Sequence, residues 1–213
     1  LEFHLVRAKL RASNGLAQGA IDQFQDNIRE GRFANETAEH YGLAVAMLRK
    51  NDIAGATNQL KWLKAKAGKN AFIENLSARV EVARNSPQTA ATQYASALKL
   101  FPNNRALAYG YAEHFLAINQ ADKAIKLVQE KQKFYPNDAY FYELLAKSYS
   151  AKGKELLKYQ AQGEAYYRKY NLKKAVEQMD FAVKAKDGSF YEKSIVEARL
   201  KELQRLQENE KPT

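Results

Sequence analysis

The sequence predicts an all-α protein assembled from stacked helix-turn-helix repeats, and three observations predict it. Small residues recur at Ala44, Ala78, Ala112 and Ala146, each 34 positions after the one before, and a second series, Ala56, Ala90 and Ala124, keeps the same interval. A third series, Asn51, Asn85, Asn119 and Gly153, falls where the first helix of each repeat has to stop. Pro102 and Pro136, again 34 residues apart, close two successive repeats. Several series in one register mark a single supersecondary unit used over and over. Composition agrees, because only ten glycines and four prolines interrupt 213 residues of which 46% are hydrophobic. That profile suits packed helices and is far from that of a disordered chain.

An interval of about 34 residues is that of tetratricopeptide helix-turn-helix units. The expected fold is therefore an all-α tetratricopeptide-repeat superhelix, a right-handed α-solenoid of about 12 helices ending in a C-terminal capping helix. Residues 1–213 are expected to form one solenoid domain. The first repeat, 1–36, is the loosest: its marks are Gly15, Ala20 and Phe24, and it carries extra residues before Thr37, as befits the end of a stack. In the second, 37–70, Ala44 faces Ala56, since antiparallel helices approach closely only where a small side chain is presented, and Leu43 and Leu60 fill the space beside them. The third, 71–104, uses Ala78 and Ala90 with Tyr94, and the fourth, 105–138, uses Ala112 and Ala124 with Tyr111 and Val128. Proline lacks an N–H and disfavours helix in the residue before it, so FPNN and YPND end the third and fourth units. Asn104 and Asp138 are then the expected N-caps of the helices that follow.

Beyond Asp138 the register shifts. Residues 139–152 read as a first helix, but the next matching set is Tyr159, Gly163, Tyr166, Ala175, Met179 and Ala182, and Gly163 lies only 17 residues, half a period, after Ala146. The helix from about Lys154 to Tyr170 is expected to close one unit and open the next, giving a half unit at 139–155 and a further unit at 156–188. Ile195, Val196, Ala198, Leu200, Leu203 and Leu206 have the spacing of an amphipathic helix over 190–207 that caps the stack. The polar tail NEKPT is expected to fray.

No run of about 18 apolar residues is present, which excludes a transmembrane segment of helical type. The absence of cysteine excludes disulfides and thiolate zinc sites. The formal charge of +10 points to anionic partners without choosing among nucleic acid, a lipid surface and acidic protein. Arg49 to Arg105 holds ten basic residues against three acidic ones. Within that segment KWLKAKAGK, Lys61 to Lys69, reads either as a contact for an anionic surface with Trp62 at the interface, or as a solvated helix face with Trp62 packed between repeats. Tyr166 and Tyr167 have the type of side chain that stacks on bases. No nucleic-acid motif accompanies them, and no nucleic-acid partner is expected. The histidines His4, His40 and His114 sit on different repeats with no partner at helical spacing, and no serine is framed for nucleophilic attack. No catalytic, cofactor-binding or metal-ligating residue is expected in this chain.

Three stretches are more specific than the period: YGLAVAMLRKNDIAGA at 41–56, YQAQGEAYYRKYNLKKAVEQMDFAVK at 159–184, and FYEKSIVEARLKEL at 190–203. With the opening LEFHLVRAKL they resemble the C-terminal tetratricopeptide-repeat domain of BepA-like periplasmic zinc metalloproteases of Gram-negative bacteria, over essentially the whole chain. The resemblance implies a periplasmic protein-protein interaction module of a metalloprotease-chaperone. Its implied partners are outer-membrane protein precursors, the β-barrel assembly machinery and its own N-terminal protease domain. That family's zinc site uses an HExxH helix, which this sequence lacks; the resemblance therefore implies a non-catalytic domain, with zinc and the protease domain expected before Leu1.

By resemblance to other tetratricopeptide domains, set positions on the first helices line a peptide-binding groove. Here these are Tyr41, Arg49, Asn75, Arg79, Tyr109, Glu113, Tyr140, Glu143, Lys147, Tyr167 and Arg168, with Phe72, Gln160 and Glu164 at equivalent places. Tyrosine and arginine suit that role because they bury a large area while keeping a polar end for peptide backbone. Packing between neighbouring helices is the competing role for each tyrosine taken singly. A generic peptide-binding scaffold without the envelope address is the alternative function, and a basic repeat protein binding nucleic acid is the third.

Overall fold

The computed structural model describes residues 1–209, and every regular element among them is an α-helix. In chain order these are α1 (Glu2–Ser13), α2 (Ala17–Arg29), α3 (Glu36–Arg49), α4 (Ile53–Lys66), α5 (Ala71–Ala83) and α6 (Pro87–Leu100). There follow α7 (Arg105–Ala117), α8 (Ala121–Gln132), α9 (Ala139–Ala151), α10 (Glu155–Arg168), α11 (Leu172–Lys184) and α12 (Phe190–Asn209). Of the tail NEKPT expected to fray, Asn209 is the last residue of α12 and 210–213 lie outside the described residues.

The helices start and stop for local reasons. Asn35, Asp52, Asn70, Asn104, Asp138 and Asn171 each accept a bond from a backbone N–H in the first turn that follows, satisfying one of the donors a helix start leaves orphaned. Both caps expected from the proline turns, Asn104 and Asp138, are among them. At α12 Ser189 and Glu192 form a reciprocal capping box, Ser189 N donating to the carboxylate at 2.7 Å and Glu192 N to the hydroxyl at 3.2 Å. The asparagine series ends helices by backbone conformation: Asn51, Asn85 and Asn119 have φ of 64°, 55° and 58°, and Gly153 has 65°. The N–H after each closes on a carbonyl five residues back, Asp52 to Met47 at 2.9 Å and Gln120 to Phe115 at 2.8 Å for example, which is the Schellman stop. Tyr170 takes the same left-handed conformation, at φ 58°, between α10 and α11.

The described chain falls into two compact units, Leu1–Gly110 and the residues from Tyr111 onward, with the division inside α7. In the first unit α3 is central and packs against α1, α2 and α4, and α5 packs on α4 and α6. Gly42 lets α3 meet α2: a Cβ there would lie 2.3 Å from the ring of Phe24, which is fully buried. Glu39, only 7% exposed, accepts from Arg11 at 2.6 Å and from Asn27 at 3.1 Å, so its buried charge is paired. Trp62 of α4 stacks on His40 of α3, in the same repeat, with ring centres 3.7 Å apart.

In the second unit each helix from α8 to α12 packs on the next, so α10 lies between α9 and α11. Gly163 permits the α10–α11 approach, because a Cβ there would stand 3.0 Å from Met179. Leu156, Ala175, Met179, Ala182, Val196 and Leu203 form the core of this end. Of the apolar positions expected to seat α12, Val196 and Leu203 are buried and Leu200 and Leu206 partly so, whereas Ile195 and Ala198 face outward. A stripe spaced 196, 200, 203 already covers the face toward α11, and the two outward positions lie around the helix from it. The alanine series is buried throughout, Ala44, Ala56, Ala78, Ala90, Ala112, Ala124 and Ala146 being at most 4% exposed.

Candidate functional site

The sequence-derived groove residues divide between the two units, and the structure gives them different employment. In the first unit Tyr41 lies in the core, its ring edge-on to Phe72 at 5.9 Å, and burial pushes its hydroxyl up to about 12 against the opposing charge of Arg79. Arg49 donates to the carbonyls of Ala12 and Gly15, tying the end of α3 to the α1–α2 turn. The Asn75 amide donates to the carbonyl of Ala106 at 3.0 Å. Arg79 and Tyr109 are half-buried. Tyr41, Arg49 and Asn75 thus make contacts within their own unit.

In the second unit the polar groups form two clusters, one around Tyr140 and one around Glu164. The Tyr140 hydroxyl donates to Glu113, and the Lys147 ammonium lies 5.8 Å from the Tyr140 ring centre. Burial, the bond to Glu113 and the charges of Glu113 and Glu143 together push Tyr140 up to about 12. Glu143 pairs with Lys169. The Arg168 guanidinium stacks on Tyr142 at 3.8 Å and donates through Nε to the Pro136 carbonyl at 2.7 Å. Glu164 accepts from both Arg168 and Arg199; the Arg199 bonds measure 2.7 and 3.2 Å, and its guanidinium lies 4.6 Å from the Tyr167 ring centre. Burial alone would raise the Glu164 carboxyl, but the two guanidiniums outweigh it and hold the group below its ordinary range.

A cleft of about 520 Å³ opens beside the Glu143–Lys169 pair, walled by Glu143, Ala146, Lys147 and Ser150 of α9 and by Gln178 of α11. Gln162, Ala165 and Tyr166 of α10, with Lys169 beyond its end, form the floor. Sequence reasoning missed Tyr142, Gln162, Lys169, Gln178 and Arg199. Gln162 and Gln178 fall outside the positions projected from other repeat domains, and Arg199 sits 35 residues from its partner Glu164 with no local pattern to announce it. Among the described residues no three His, Asp or Glu side chains stand together as a metal ligand set, so nothing here fits the zinc of an HExxH enzyme. No described helix is long and apolar enough to cross a membrane.

Paired helices with small residues at each crossing and an αL stop at each hairpin define a tetratricopeptide-repeat fold, and residues 81–148 match the tetratricopeptide-repeat family model. Solved structures agree on the fold. MamA from Desulfovibrio magneticus RS-1 superposes with a TM-score of 0.53 at 18% identity, covering 84% of this chain and 100% of that one. A thermophilic TPR protein of Thermus thermophilus gives 0.51 at 14% identity, covering 95% and 97%.

Sequence similarity then points to a particular relative. The chain is 26% identical over 184 residues to a beta-barrel assembly-enhancing protease of Yersinia pestis, a match that takes in 86% of this chain and bears out the resemblance read from the three stretches. The chain spans 38% of the length of that relative.

Proposed function

We propose that this chain is the protein-interaction module of a periplasmic metalloprotease-chaperone, binding outer-membrane protein substrates, the β-barrel assembly machinery, or both. The observation that carries the reading is the similarity to a beta-barrel assembly-enhancing protease along 86% of the chain. A repeat fold that presents aromatic and charged side chains together is a means of holding polypeptide, and Tyr140 pairs so with Lys147 on α9, and Tyr142 of α9 with Arg168 of α10. On this reading the relative's metallopeptidase chemistry and its zinc belong to residues outside the stretch the two proteins share. The domain contributes recognition and no bond-breaking step. The test is a photo-crosslinking amino acid placed at Tyr109, Tyr140 or Tyr167 in a Gram-negative cell. Capture of barrel proteins or assembly components in the envelope is the expected outcome, and failure at all three positions refutes the assignment.

A further inference from the structure

We propose that the cleft between α9 and α11 is the seat for an acidic stretch of extended polypeptide, whose main chain pairs with Gln162 and Gln178 and whose carboxylate pairs with Lys147. This rests on the reading above and narrows it to one site and one ligand chemistry.

The cleft follows from the shared helix. Because α10 packs against both α9 and α11, its surface between them is left as a floor, and Ala165 in the floor with Ala146 in the wall leaves room for a backbone to approach. The volume of about 520 Å³ lies within the range of ligand sites, roughly 300–1000 Å³. Along α9 the wall runs from Glu143 to Ala151, which at 1.5 Å per residue is about 12 Å, the length of roughly four residues of extended chain.

The chemistry of the lining selects the occupant. Gln162 and Gln178 are half-buried, and neither carboxamide forms a hydrogen bond among the described residues. A carboxamide both donates and accepts, so each can pair with a peptide C=O and N–H at once. The charges are unequal. Glu143 is neutralised by Lys169, whereas Lys147 is exposed and has only the Tyr140 ring beside its ammonium. One net positive charge therefore remains in the lining, and it favours a carboxylate.

Fluorescence anisotropy of a dye-labelled peptide alternating valine and threonine around two central glutamates, titrated with the whole chain, tests the assignment. The double variant Gln162→Ala/Gln178→Ala is expected to bind roughly ten- to thirtyfold more weakly. Lys147→Glu should remove the preference over a control peptide with two lysines in place of the glutamates. Ser150→Trp, an exposed change on the rim, should block entry while the helical circular dichroism stays unaltered. Undiminished binding by all three variants, or a loss confined to Tyr109→Ala in the first unit, overturns this seat while leaving polypeptide binding by the domain intact. Failure of the unmodified chain to bind the peptide also overturns it, and parallel capture of unfolded barrel precursor then shows whether the wider reading falls with it.

Discussion

Replacing Arg199 by alanine probes how α12 is fastened to α10. Arg199 gives Glu164 bonds of 2.7 and 3.2 Å, and the two side chains are only 18% and 15% exposed. Hydrogen bonds to charged groups contribute about 1.5–3 kcal/mol, and unpairing a buried charge costs more than the bond is worth. Arg168 still neutralises the carboxylate in the variant, so the expected loss is ~2 kcal/mol, equivalent to a fall in melting temperature of about 4–8 °C for a chain of this length. The sign with pH follows from the carboxyl. Its folded-state pKa lies below its unfolded value, so the stabilisation is full above the unfolded value, near 4.3, and is lost as pH falls through the lower folded value. Melts followed by circular dichroism should separate the two proteins at pH 7 and narrow the gap in acid, where the Tyr167 contact of Arg199 is left. Equal melting temperatures at pH 7, or a gap that does not narrow once Glu164 is protonated, would show that this ion pair does not fasten α12.

Three further outcomes are expected. Gly42→Ala improves helix propensity by about 1 kcal/mol but drives a methyl into the enclosed Phe24 ring, an overpacking worth roughly 1–3 kcal/mol; urea unfolding should show a net loss, and a gain would mean that the ring can give. Tyr170→Asn should raise the unfolding free energy by about 0.5–1 kcal/mol, seen as a higher urea midpoint with an unaltered slope, because Tyr170 is 98% exposed at a positive φ where three other hairpins use asparagine; an unchanged midpoint would show that the turn is unstrained. Arg11→Ala takes the cation from buried Glu39 and leaves it the Asn27 carboxamide as a donor, which should cost about 3 kcal/mol; a cost below that of an ordinary surface change would show that the carboxylate is not confined.

The all-helical repeat fold was legible because its determinants are local and periodic. A buried alanine every 34 residues and an asparagine at each αL stop are written directly in the chain, and proline followed by an N-cap two residues later marks a helix start without reference to anything distant. The candidate site was legible only in outline. Projection from other repeat domains gives side-chain direction on a helix but not what a neighbouring helix does to it. So Tyr41 emerges in the core against Phe72, and Arg49 turns to the carbonyls of Ala12 and Gly15. The pairing of Glu164 with Arg199 joins α10 to α12 through tertiary packing, which no spacing encodes. The cleft depends on the half-period at Gly163, which predicts a shared helix but not the free carboxamides of Gln162 and Gln178 beside it.

If these repeats hold polypeptide destined for the outer membrane, they must distinguish an unfolded barrel protein from a folded one. Isothermal titration of the purified chain with an outer-membrane barrel protein diluted from urea, beside the same protein already folded in detergent, measures that distinction. Saturable heat with the unfolded form, weakened by Lys147→Glu and absent with the folded barrel, is the predicted result. No heat with the unfolded form, or equal heat with both, would contradict the proposed role.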